Sequence, residues 1–186
     1  MLNNREIEQK FEYYLKLESK DKFYLRKRQG TKRLANNYLT NARHNLIVAK
    51  SLISVSENQK IKDLLVVPND FQTYSWIISI SYYAMYHAAL SALAKEDYES
   101  DDHAATRYAL AKLYVIKSKL EKEALEIFDQ SKKLLEEEYV ITLDNARKND
   151  QVARYSSSTE YEKNKSEEQF KIAQQFVQRM AELVEE

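Results

Sequence analysis

The sequence has no cysteine, one glycine (Gly30) and one proline (Pro68) in 186 residues. Without cysteine there is no disulfide, no thiolate metal site and no cysteine nucleophile. A single glycine leaves no room for a glycine-rich phosphate loop, and it disfavours β-sandwiches, barrels and dinucleotide-binding folds, whose turns consume glycine. Net charge is also missing: 29 basic residues stand against 29 acidic ones. No overall field therefore draws the chain to nucleic acid or to a membrane. Histidine is scarce, with only His44, His87 and His103. No Glu precedes any of them by three places and no His-Glu-x-x-His occurs, so neither a di-iron bundle site nor a zinc site is expected. The expectation is no metal and no cofactor.

What is present is helical. At roughly 150 residues per domain the length suggests one domain, and a chain of this size buries enough surface to need no staples. Residues 1–10 are polar and charged, unlike a signal peptide. Residues 71–94 carry no formal charge and are long enough to span a bilayer. However, they include four serines, four tyrosines and His87, which would lack partners in lipid. Such a stretch reads instead as the central helix of a bundle in a cytoplasmic protein with no membrane contact.

Apolar spacing predicts a helix over 4–28, with Ile7, Phe11 and Tyr14 inward and the next place lost to Glu18. Further helices are expected over 31–56, from a cap at Asn69 or Asp70 to about Lys95, and over 102–116. Residues 54–62 read as a loop. Ser118 to Glu121 has the form of a capping box opening a long helix to Lys148, and Thr159 to Glu162 has the same form before the last helix. The expectation is an all-α, antiparallel bundle of about five helices with an additional N-terminal helix. Residues 1–30 would be a basic extension, and 31–186 the bundle domain. Residues 20–33 hold seven bases and one acid, either a solvated face or an anion-contact patch.

Candidate chemistry concentrates in two places. Ser79, Tyr83, His87 and Ser91 are four apart, so they form one polar column on the uncharged helix. It is either a satisfied core network or the wall of a cleft where an imidazole can move protons. His103 follows Asp101-Asp102 at a helix start, where the acids suit capping and one could orient the imidazole. Arg147 at the end of the long helix, with Arg154 and Tyr155 in the junction after it, are candidates to hold a phosphate.

The run Ser79-Ile80-Ser81-Tyr82-Tyr83-Ala84-Met85-Tyr86-His87-Ala88-Ala89, with Ala92-Leu93 and then Asp102-His103, resembles the HEPN superfamily (higher eukaryotes and prokaryotes nucleotide-binding domain), in particular its small stand-alone archaeal and bacterial branch. The resemblance covers about residues 35–184. It implies a helical bundle, commonly a homodimer, that binds RNA or a nucleotide. Many such proteins are metal-independent endoribonucleases, and some are toxins paired with a small nucleotidyltransferase. Their signature is an Arg, four to six residues, then a His. Arg147 matches the Arg, but the His places hold Val152, Ala153 and Arg154. The resemblance therefore implies Arg147, His87 and His103 as catalytic candidates, with Tyr83, Asp102, Arg154 and Tyr155 as binding candidates. Cleavage would need a base for the 2′-hydroxyl, an acid for the leaving oxygen and a cation for the phosphate. The alternative is a non-catalytic structural or adaptor bundle acting through dimerisation or protein partners.

Overall fold

The computed structural model describes residues 3–19, 22–148 and 159–185. The chain is an all-α bundle with two short two-stranded ribbons. At its centre is α4 (Tyr74–Lys95), with 14 of its 22 residues buried. It packs mainly against α2 (Ala35–Glu57) and α7 (Thr159–Glu185), and more lightly against α5 (His103–Leu110) and α6 (Lys122–Lys148). Small side chains explain the central position. Ser81, Ala84, Ala88 and Ala92 are fully buried, which lets neighbouring helices approach closely. By length and composition α4 could cross a membrane, but 72% of its apolar window is buried inside the bundle. Its lack of charge is that of a helix buried on most sides.

The N-terminal segment differs from the expected single helix over 4–28. Helix α1 (Asn4–Lys16) is capped by Asn3, whose Oδ1 accepts from Glu6 N at 2.8 Å, and it buries Ile7 and Phe11. The helix stops where its apolar period fails, at Glu18. The chain then forms β1 (Glu18–Ser19), β2 (Lys22–Phe23) and β3 (Leu25–Lys27). Strand β3 pairs antiparallel with β4 (Tyr98–Ser100), placing Leu25 opposite Ser100 and Lys27 opposite Tyr98. Ile7, Phe11 and Leu25 belong to the same buried cluster as Met85 and Leu93 of α4.

This pairing also engages much of the basic stretch. Arg26 Nε donates to Glu99 at 2.7 Å, Arg28 reaches the same carboxylate at 3.5 Å, and Lys27 lies over the Tyr98 ring. Asp97 accepts from the Gly30 and Lys32 backbone N–H groups. Gly30 sits at φ +86°, a left-handed turn that suits glycine.

Other boundaries also move. Of residues 54–62, expected in a loop, 54–57 finish α2 and 59–62 open α3 (Gln59–Leu65), because the Asn58 side chain caps its first N–H groups. Asn69 and Asp70 do not cap α4. That helix follows Thr73, whose hydroxyl is held by Ser56 and the Leu52 carbonyl, while the Asn69 side chain accepts from Gln59. The helix expected over 102–116 is α5 continued by a π-turn, Ala111–Val115. Ser118 does not form a capping box. It is left-handed (φ +56°), α6 begins at Lys122, and the Glu121 carboxylate pairs with Arg179 of α7.

Candidate functional site

The clearest chemical cluster lies where α4, α5 and α6 meet. Asp102 is the N-cap of α5, its Oδ1 accepting from Ala105 N at 2.9 Å. The cap sets the first turn of α5, which puts His103 and Arg107 one turn apart on one side. Both meet Asp129 of α6. His103 Nε2 donates to Asp129 Oδ1 at 3.2 Å, and Arg107 Nε forms an ion pair with Oδ2. On the other side of the ring, the Tyr82 hydroxyl and His103 Nδ1 are hydrogen-bonded at 3.1 Å.

Electrostatics fixes the direction of the Asp129 bond. Burial pushes the Tyr82 phenol far above its ordinary value, so it stays protonated. Burial also works to raise the Asp129 carboxyl. The His103 hydrogen bond and the Arg107 charge outweigh burial and hold it below the usual aspartate value. An ionised acceptor facing Nε2 calls for a proton on that nitrogen.

The imidazole is also stacked. The His103 and Phe128 rings lie 4.2 Å apart at 23°, and Phe128 continues to Phe176 of α7 at 5.5 Å. Tyr82 and Tyr86 stack on the same phenyl ring at 6.3 and 6.4 Å. The Tyr86 phenol is pushed up to about 12 by burial, partly offset by a hydrogen bond with Thr106. The rings fix the imidazole plane, and the two hydrogen bonds fix its rotation within that plane.

The other predicted residues fall elsewhere. His87 stacks on Tyr38 of α2, at 6.3 Å between centroids. Burial lowers its pKa, and its Nδ1 has no hydrogen-bond partner among the described residues. On an ideal helix Tyr82 and His87 point about 140° apart, so one imidazole faces α2 while the other joins the α5–α6 side. Tyr83 is 41% exposed, its phenol raised by burial and by a hydrogen bond with Tyr139. The polar column thus has different surroundings along its length. Ser79 bonds the Ser75 carbonyl, and Ser91 is fully buried against the Ala35 carbonyl.

Asp102 is the cap of α5. The carboxylate that orients His103 is Asp129, not its neighbours Asp101 or Asp102. Arg147 lies in α6, but its side chain is outside the described residues, as are Arg154 and Tyr155 altogether. Among the described residues no group of three or more His, Asp or Glu side chains could hold a metal ion.

Sequence reasoning missed Arg107, Asp129, Tyr82 and Phe128. His103 and Arg107 carry a weak signal in their i, i+4 spacing. Asp129 is 26 residues from His103, and no local pattern joins them. No family model, no curated protein and no solved structure matches this chain.

Proposed function

We propose that this chain is a HEPN-type protein of the cytoplasm that binds RNA or a nucleotide through phosphate, with Arg107 as the phosphate contact. Asp129 and His103 are the residues that position it. The observation that carries the reading is the way Arg107 is held. Asp129 forms an ion pair at its Nε, which makes no hydrogen bond, its Cζ lies over the Tyr108 ring at 5.3 Å, and no hydrogen bond of Nη1 or Nη2 is seen among the described residues. A planar guanidinium fixed at one edge offers the other pair of N–H groups to two phosphate oxygens.

The same geometry sets a condition for cleavage. Both ring nitrogens of His103 are engaged, so the imidazole is idle while Asp129 holds it. A phosphate on Arg107 competes with Asp129 for the guanidinium. A carboxylate displaced in this way releases His103 Nε2, which can then exchange a proton with substrate. Cleavage by the described residues therefore depends on phosphate binding first. A homodimer and a small nucleotidyltransferase partner belong to the same reading.

The experiment is metal-free incubation with a fluorescent single-stranded RNA, with AMP as a second arm to separate polymer from mononucleotide. Binding is expected to weaken about tenfold or more in Arg107→Ala, the loss of a charge-assisted pair. Products ending in 2′,3′-cyclic phosphate, absent in His103→Gln, identify a nuclease; binding without products identifies a binding protein. Equal binding by wild type and Arg107→Ala overturns the assignment, and loss on Arg147→Ala alone moves it to the end of α6.

One observation favours a second reading, the adaptor. Tyr82, His103, Arg107 and Asp129 bond one another across three helices, which also describes a structural clamp. A protein that binds neither RNA nor AMP, and melts earlier as Arg107→Ala, supports that reading.

A further inference from the structure

A separate cavity of about 360 Å³ lies between α6 and α7. It is closed in by fixed contacts at both ends. Toward the C-terminus of α7, Phe176 stacks on Phe128 and Arg179 pairs with Glu121. At the other end Lys165 pairs with Glu138 at 3.0 Å. Helix α7 packs chiefly on α4 and much less on α6, which leaves the space between these ties open. Ile127, Leu134 and Ile172 supply the apolar lining.

One polar group in this cavity is out of place. Gln169 is 3% exposed and lines the cavity, yet the one hydrogen-bond contact seen for its carboxamide is to the Met85 thioether at 3.9 Å. A carboxamide offers two N–H donors and an oxygen with two lone pairs. The thioether takes one N–H weakly, and no atom of the carboxamide is sealed away without a partner, so its oxygen keeps solvent contact. The charges around the cavity balance: Lys133 and Lys165 face Glu137 and Glu168. This wall does not select an anion, unlike the Arg107 site.

We propose that this cavity binds a small uncharged molecule with a flat apolar ring and an amide-type edge that pairs with the Gln169 carboxamide. The volume is within the range of small-molecule sites, which are mostly apolar with a few convergent polar groups. The apolar side chains of α6 and α7 enclose the ring faces. The ligand edge supplies the donor and acceptor that the Met85 sulfur does not. The site is independent of the phosphate reading, and neither depends on the other being correct.

The test uses the full-length protein with benzamide and benzoate as probes, an uncharged amide and its anionic counterpart of similar shape. Ligand-observed NMR titration is expected to show benzamide binding about tenfold tighter than benzoate, the scale of one well-made hydrogen bond. Gln169→Leu keeps similar bulk and removes the carboxamide. It is expected to lose benzamide binding about tenfold while melting no earlier than wild type, which separates recognition from folding. No benzamide binding, equal binding of benzoate, or undiminished binding to Gln169→Leu would each overturn the proposal.

Discussion

The two sides of Phe128 make opposite use of polar side chains. Toward α5, His103, Arg107, Asp129 and Tyr82 are joined by hydrogen bonds and an ion pair. Toward α7, Gln169 has a single thioether contact beside a cavity. Mutually satisfied groups hold helices in register. A buried group held by one weak contact adds little to stability. Burial alone does not separate a recognition site from a clamp; Arg107, inside the bonded cluster, has a buried Nε without a hydrogen bond.

The largest expected effect comes from removing the wall between the two sides. Phe128 is fully buried and stacks on His103 and Phe176. Phe128→Ala should cost about 3–5 kcal/mol in urea unfolding and merge the two environments. A loss near that of an exposed residue would mean the rings are not packed as described.

Asp129→Ala comes next, at about 1–3 kcal/mol, because it strands the partners of a group whose side chain is 31% exposed. Its signature is pH dependence. The folded carboxyl lies below its ordinary value of 3.8, so the stabilisation is fully present above that pH. It is lost as pH falls through the lower folded value. The stability gap between wild type and Asp129→Asn should therefore narrow in acid; a constant gap contradicts the pairing.

His87 provides a smaller effect of the same sign. Burial depresses its pKa below 6.5, so below that pH the unfolded chain binds more protons and stability falls. His87→Phe should flatten this slope between roughly pH 5 and 7. An unchanged slope would place the sensitivity elsewhere.

The smallest effect is expected on the cavity side. Gln169→Leu should change stability by no more than about 0.5 kcal/mol, and in the stabilising direction if at all. A loss comparable to Asp129→Ala would erase the contrast, showing that the carboxamide is as firmly bonded as the cluster opposite.

The sequence made the helices legible wherever apolar spacing was regular. α4 and α2 follow from their patterns, and α1 ends where its stripe fails at Glu18. Boundaries set by distant partners were not legible. Residues 25–27 become a strand because residues 98–100 lie beside them, and Glu121 serves Arg179 rather than a capping box. The site divides in the same way. His103 was legible from its place beside a cap, and Asp102 as that cap. Asp129 was not, because Tyr82, His103 and Asp129 come from three helices whose packing alone joins them. The polar column singled out His87, but a shared helical face does not ensure a shared pocket.

The central claim, that phosphate displaces Asp129 from Arg107 and frees His103, is tested most directly by NMR of the His103 ring nitrogens during titration with single-stranded RNA. The account predicts that the Nε2 resonance moves as the Asp129 bond is lost, in wild type but not in Arg107→Ala. An Nε2 resonance that stays fixed while RNA binds would contradict it.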